Sequence, residues 1–225
     1  MPRETFQESL EELRTDVQEL GELVLERLDW SLTALEDDDH ELANEVIEGD
    51  QEVNEFYLEL ESQCINLFAL QQPVATDLRF VAASFKIITD LERIGDLAAN
   101  LGRYIRGADR RPATATTLAD IGRAAQELVA DALEAYVRED TALCRQVAER
   151  DDAIDSRCYS ASERVVRDLI EREATDEGPW SVEQVLDDVS GVLLTIRDLE
   201  RVADHGVNIA ARTLYLVDND PELIY

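Results

Sequence analysis

The chain states one twelve-residue stretch twice. Residues 90–101 read Asp-Leu-Glu-Arg-Ile-Gly-Asp-Leu-Ala-Ala-Asn-Leu, and residues 198–209 read Asp-Leu-Glu-Arg-Val-Ala-Asp-His-Gly-Val-Asn-Ile. The second copy lies 108 residues after the first, near half of the 225-residue chain, and six positions are identical. His205 facing Leu97 is the main departure. A stretch repeated at that distance implies two copies of one structural unit. Five of the six identities are polar (Asp, Glu, Arg, Asp and Asn), and these need a chemical reason.

The periodicity around the repeat is helical throughout. Leu10, Leu13, Val17, Leu20, Val24, Leu28, Ser31 and Leu35 step by three and four, so an amphipathic helix is expected from about Arg3 to Asp37. Asp37-Asp38-Asp39 offers a cap for a second helix, about His40 to Leu70. Its seam is Leu42, Val46, Asp50, Val53, Tyr57, Leu60, Cys64 and Leu67, with Asp50 where an apolar residue belongs. Pro73 suits the first turn of a third helix, which carries Val81, Phe85, Ile88 and the first motif copy. Residues 108–116, small, polar and containing Pro112, read as a linker. Thr117 with Asp120 predicts a capping box for a fourth helix, whose face is Leu118, Ile121, Ala125, Leu128 and Ala132. A fifth helix, about Thr141 to Ala174, has the seam Leu143, Val147, Asp151, Ile154, Cys158, Ala161 and Val165. Asp151 again stands in a seam, 101 residues after Asp50. After the loop 175–180, Ser181 with Gln184 predicts a cap for a sixth helix holding Val185, Val189, Leu193, Ile196 and the second motif copy. The tail, 218–225, is expected to be loose. No alternating β-branched pattern appears. The expected fold is all-α, two tandem three-helix bundles spanning 1–107 and 117–217.

The polar identities gain meaning on a helical wheel. At 100° per residue, Val81, Phe85 and Ile88 lie within about 40° of Glu92, with Asp96 and Asn100 one and two turns on. The same ladder recurs as Val189, Leu193 and Ile196, then Glu200, Asp204 and Asn208. The expectation is one stripe that is core in its first half and oxygen-bearing in its second. Asp50 with Asn54, and Asp151 with Asp155, place a further i, i+4 oxygen pair on the preceding helix of each bundle. Converging carboxylates repel and lose hydration, which protonation, pairing with Arg, or a bound cation relieves. Oxygen ligands suit hard cations, and the candidates are ions of Fe, Mg, Mn, Ca or Zn. Two plainer readings stand beside this one: Asp90–Arg93 and Asp198–Arg201 pairs at i, i+3, or a solvated acidic face. Repetition of the same atoms in both copies favours the metal reading. His205 offers one nitrogen ligand or is an ordinary helix histidine. Trp30 and Trp180 read as packing or loop residues.

Composition limits the partners. The formal charge is −30, from 51 acidic and 21 basic residues, and Lys86 is the only lysine. Such a chain repels nucleic-acid phosphates and anionic lipid headgroups, so no direct nucleic-acid binding is expected. The acids are spread along the whole chain, as expected of a halophilic protein in a high-salt cytoplasm. Cys64, Cys144 and Cys158 are odd in number and match no zinc or redox spacing, which fits reduced core thiols in a cytosol. No signal segment or membrane span is read, and the expectation is a cytoplasmic protein. P-loop, dinucleotide fingerprint and Ser or Cys nucleophile motifs are absent.

Gln71-Gln72-Pro73-Val74-Ala75-Thr76-Asp77-Leu78-Arg79-Phe80, followed by the two motif copies, resembles the PhoU family of phosphate-uptake regulators. The resemblance implies two similar three-helix bundles and a non-enzymatic role, negative regulation of uptake through the phosphate-specific ABC transporter, its ATPase subunit and, in bacteria, a sensor kinase. It also implies peripheral membrane association through that partner. Members bind metal ions, including multinuclear iron clusters, at paired Glu/Asp-x-x-x-Asp motifs. Here the matching positions are Glu92 with Asp96 and Glu200 with Asp204, facing Asp50 with Asn54 and Asp151 with Asp155. Asn54 replaces a carboxylate, so the two sites are expected to differ. A homodimer is an open expectation. The rivals are a ferritin-like metal enzyme and a metal-free helical scaffold. The enzyme would need Glu-x-x-His, but Asp37 and Val202 precede His40 and His205 by three.

Overall fold

The seams become helices almost residue for residue. In the computed structural model, which describes residues 3–70, 75–108, 111–175 and 182–224, the described residues form six helices and no strand. They are α1 (Arg3–Asp37), α2 (His40–Leu70), α3 (Ala75–Gly107), α4 (Ala115–Arg138), α5 (Thr141–Thr175) and α6 (Val182–Asp218). All the α1 seam residues are buried, Ser31 included, whose hydroxyl donates to the Leu28 carbonyl at 2.7 Å. The seams of α2 and α5 are buried apart from half-buried Leu42, Asp50, Tyr57, Leu143 and Asp151. The three cysteines are buried free thiols, and burial pushes Cys64 and Cys158 up to about 12 and Cys144 up to about 11.

The turns repeat as well as the seams. Asp38 and Glu139 take left-handed backbone angles (φ 59 and 55). Asp39 and Asp140 follow, and each Oδ1 accepts the N–H groups two and three residues on, at 3.0 Å. The second helix of each repeat therefore starts from the same aspartate cap, worth about 1 kcal/mol. The fourth helix departs from expectation. It begins at Ala115, two residues before Thr117, with Thr114 at the cap position and no side-chain cap bond. The Pro112 carbonyl accepts the Ala115 N–H at 3.0 Å, so the turn starts the helix before Thr117 is reached. The tail is not loose over 218–224. Arg79 Nη1 donates to Asn219 Oδ1 at 2.9 Å, and Arg145 lies 3.4 Å from both Asp220 and Glu222. Pro73, Trp180 and Ser181 lie outside the described residues.

The two bundles share one core. α2 packs on α1 and α3, α5 packs on α4 and α6, and the repeats meet through α1 against α4 and α3 against α6. α1, α3, α4 and α6 thus form a central block, with α2 and α5 as flanking helices that, among the described residues, touch only their own repeat. One continuous cluster of buried apolar side chains runs through all six helices. Polar groups tie the α1–α4 contact. Arg14 Nη1 donates to the Tyr136 carbonyl at 3.0 Å with its guanidinium over the Phe80 ring, and Gln126 Nε2 donates to the Leu25 carbonyl at 3.0 Å. Buried Tyr136 shares a 2.7 Å hydrogen bond with the Ser84 hydroxyl on α3.

Gly102 lets α3 approach α2. A Cβ there would stand 2.8 Å from the Ala43 carbonyl oxygen, a backbone atom that cannot swing away. Gly107, at the end of the same helix, has nothing within 4 Å of that position. Gly102→Ala is expected to destabilise the protein by about 1–3 kcal/mol, as overpacking does. Gly107→Ala is expected to be neutral or slightly stabilising. Chemical denaturation of the two variants side by side checks this, and equal midpoints would refute the close approach.

Candidate metal centres

The repeated carboxylates gather on one face of each bundle, but not in the core. Asp50 on α2 faces Glu92 and Asp96 on α3, with Asn54 one turn beyond Asp50 on α2, and Asp151 and Asp155 on α5 face Glu200 and Asp204 on α6. Asp50, Asn54, Glu92, Asn100 and Asp151 are half-buried, while Asp96, Asp155, Glu200, Asp204 and Asn208 are exposed. The expectation that these residues continue the core stripe is therefore corrected. Successive i+4 steps each advance about 40° around the helix. Glu92, Asp96 and Asn100 thus rotate off the buried stripe of Ile88, Leu91, Ile94, Gly95 and Ala98 toward the edge shared with α2.

In the first cluster, burial raises the Asp50 carboxyl above its usual value, with Asp96 adding to the shift and Arg103 opposing it. Arg103 Nη2 stands 3.7 Å from Asp50 Oδ2. Glu92 is raised by burial and then by Asp96, against Arg93. The amides are partly occupied. Asn54 Nδ2 donates to the Asp50 carbonyl at 3.1 Å, and Asn100 Oδ1 accepts from Arg103 Nη1 at 2.6 Å.

The second cluster carries more unrelieved charge. Burial pushes the Asp151 carboxyl up to about 6, and Asp155, Asp204, Asp152 and Glu200 all add to the shift. Glu200 is raised by burial, then by Asp155 and Asp204; Asp204 by burial and then Asp155, against His205 and Arg201. Asp151 Oδ1 is buried without a hydrogen-bond partner. Among the described residues no ion pair reaches Asp151, Asp155, Glu200 or Asp204, and no three such groups converge closely enough to hold an ion as they stand.

Sequence reasoning missed the polar residues that are in the core. Asp90, Asp198 and His205 are buried where α3 crosses α6. His205 Nδ1 lies 2.9 Å from Asp90 Oδ1, and Asn208 Nδ2 donates to the same oxygen at 3.4 Å. The Tyr104 hydroxyl donates to Asp198 Oδ2 at 2.9 Å, and burial, then this bond, push the phenol up to about 12. Asp198 also faces Arg201 at 3.7 Å, as the i, i+3 reading expects, but the matching Asp90–Arg93 pair does not form. The signal was present: both aspartates belong to the six repeated identities. His205 and Asn208 are thus engaged with Asp90 on α3. Trp30 is a packing residue, with the Arg27 guanidinium 4.4 Å over its ring.

Fold and clusters together define an internally duplicated, all-α bundle protein with one carboxylate cluster on the matching face of each repeat. The PhoU domain family model matches residues 17–105 and 118–213, and the chain belongs to the PhoU family. It is similar to the phosphate-specific transport system accessory protein PhoU homolog of Pseudomonas putida, 33% identical over 94% of this chain and 80% of that protein. The accessory protein PhoU of Escherichia coli is 30% identical over 94% of this chain and 85% of its own length. The crystal structure of PhoU from Pseudomonas aeruginosa covers 96% of this chain and 100% of its own, with a TM-score of 0.87 and 30% identity. The PhoU structure from Streptococcus pneumoniae superposes with a TM-score of 0.83 at 29% identity. No helix among the described residues is long and apolar enough to cross a membrane.

The second cluster makes a pH-dependent prediction. A carboxyl raised above its unfolded value of 3.8 costs stability as it ionises, so the cost of Asp151 is absent below about pH 4 and complete above about pH 6. In protein held in chelator, Asp151→Asn is expected to raise the thermal midpoint by about 2–4 °C at pH 7.5. That corresponds to about 1 kcal/mol, reduced for a half-exposed site. The gain should shrink as the pH falls from 6 to 4. A midpoint that drops at pH 7.5 would show that the ionised carboxylate is stabilising.

Proposed function

We propose that this chain is a non-enzymatic accessory protein of a phosphate-specific transport system, restraining uptake from the cytoplasmic side through a protein partner, and that its two carboxylate clusters bind hard cations. The observation that carries the first part is similarity over 94% of the chain to relatives that bear the accessory name. The transporter's ATPase subunit is the proposed partner, with a sensor kinase as a further one. The diffuse −30 charge supports a high-salt cytoplasm, and it disfavours direct adhesion to anionic lipid.

The chemistry of the residues suits a hard cation, which would draw the carboxylates closer than they stand. Asp151 Oδ1 is a buried acceptor with no partner, amid four further carboxylates that raise its pKa. Asp151, Asp155, Glu200 and Asp204 would hold an ion at the second site, and Asp50, Glu92 and Asp96, with Asn54 and Asn100 as neutral oxygens, at the first. The ion supplies positive charge that offsets the repulsion between these side chains and favours their ionised form. Binding then competes with protonation and weakens as the pH falls toward 6. Arg103, already beside Asp50, and the neutral Asn54 leave the first site with less negative charge to offer. A ferritin-like enzyme finds no support in the imidazoles, since His205 is committed to Asp90.

Elemental analysis of protein purified without added metal tests the sites. The Glu92→Gln, Glu200→Gln double variant is expected to lose most of the metal that the parent retains, and Asn54→Asp to raise retention at the first site. Unchanged content in the double variant would remove these residues from the assignment. Capture of the transporter's ATPase subunit by the tagged chain tests the accessory role, and failure to capture it at both high and low phosphate would overturn that role.

A further inference from the structure

We propose that the outer face of α2, together with the start of α3, docks an amphipathic helix of a protein partner, one whose apolar stripe is flanked by Lys or Arg. Leu58 and Ile65 on α2 are 57% and 53% exposed, Phe68 on α2 is 38% exposed, and Leu78 at the start of α3 is 44% exposed. Leu58 and Ile65 are two turns apart, so they share one line along the helix. Asp50 opposite Asp96 and Tyr57 opposite Thr89 set an antiparallel register that puts Phe68 level with Leu78. Single exposed leucines need no explanation, but a line of large apolar side chains on a helix face does. Residues 62–69 of α2 contain no charge at all, in a chain that is 32% charged.

The stripe belongs to the repeated unit. Tyr159 and Val166, 67% and 45% exposed on α5, stand 101 residues after Leu58 and Ile65, the offset that relates Asp50 to Asp151. Both outer helices thus carry an exposed stripe that packing among the described residues does not use. Their flanks differ. α2 has eight carboxylates and neither Lys nor Arg, whereas α5 has six Arg among its eight acids. An apolar line whose own helix carries acid and no Lys or Arg favours a partner with basic edges over an acidic one. That charge pattern also disfavours a second copy docking α2 on α2, which would set two all-acid helices side by side. One shallow depression, lined by Ile47, Asp50, Asn54, Glu55 and Leu58, joins the stripe to the first carboxylate cluster. Spaced apolar anchors beside fixed acid are what a helix with i, i+3, i+4, i+7 anchors and basic flanks fits.

This face deepens the accessory reading and rests on it for the identity of the partner, so the test separates the two. The probe is a labelled peptide of about five helical turns with Leu at i, i+3, i+4 and i+7 and Lys elsewhere, beside a scrambled peptide of the same composition. The full chain is expected to bind the patterned peptide about tenfold tighter than the scramble, about 1.4 kcal/mol. Leu58→Ser with Ile65→Ser should erase that preference, and Tyr159→Ser with Val166→Ser should keep it, circular dichroism being unchanged in both. Equal binding of the two peptides, or a preference that survives the α2 variant, overturns the proposal. So does a dimer in solution that the α2 variant dissolves, since a second copy would then be the occupant. If the parent captures no ATPase subunit while the peptide preference holds, the accessory reading fails and the face stands. If capture survives the α2 variant, the face fails as the transporter contact and the accessory reading stands.

Discussion

α3 and α6 each have to satisfy three neighbours, and the antiparallel crossing between them fixes everything built on their outer sides. α3 is covered by α1, α2 and α6, and α6 by α4, α5 and α3. A helix packed on three sides turns some of its polar residues inward, and each one inside needs a partner. Asp90 finds His205 and Asn208, and Asp198 finds Tyr104 and Arg201. These bonds hold only at one register, with residue 90 near 205 and residue 104 near 198. Sliding the crossing by a turn would leave buried carboxylates unpaired, at a cost of several kcal/mol. Apolar packing supplies the bulk of the stability here, and the polar pairs select the register.

Much of this was legible in the sequence. The six helices, an aspartate cap before α2 and the pairing of carboxylates across neighbouring helices follow from spacing alone, whereas the matching cap at Asp140 emerges only in the structure. The side on which the carboxylates stand does not. A wheel gives angles between residues of one helix but not the direction of the core, and an enclosed helix has no single core direction. Val81 and Ile88 are buried, yet so are Ile87, Asp90 and Leu97 on other sides of α3. Glu92 and Asp96 therefore read as core when they were seen beside Val81, and stand at an edge once α1 and α6 are in place. His205 was open between ligand and surface residue for the same reason, since its partner Asp90 is 115 residues away. The tail misled differently: its Asp, Asn and Pro residues look like a loose end until Arg145 and Arg79 are brought to them by the fold.

The duplication keeps architecture and lets chemistry drift. Turn, cap and seam aspartate recur at one offset between α2 and α5, and the motif recurs at another between α3 and α6. The residues that touch the clusters do not keep pace. The first cluster has Arg103 against Asp50 and an amide at Asn54, so part of its charge is neutralised from within. The second has a carboxylate at Asp155, no Arg or Lys paired to it among the described residues, and an orphaned oxygen on Asp151. Two sites of one ancestry thus place unequal demands on anything positive that approaches them. The second has no ion pair among the described residues and holds the Asp151 proton up to about pH 6, whereas the first already carries an internal positive charge and lies beside the acid-flanked apolar stripe of α2.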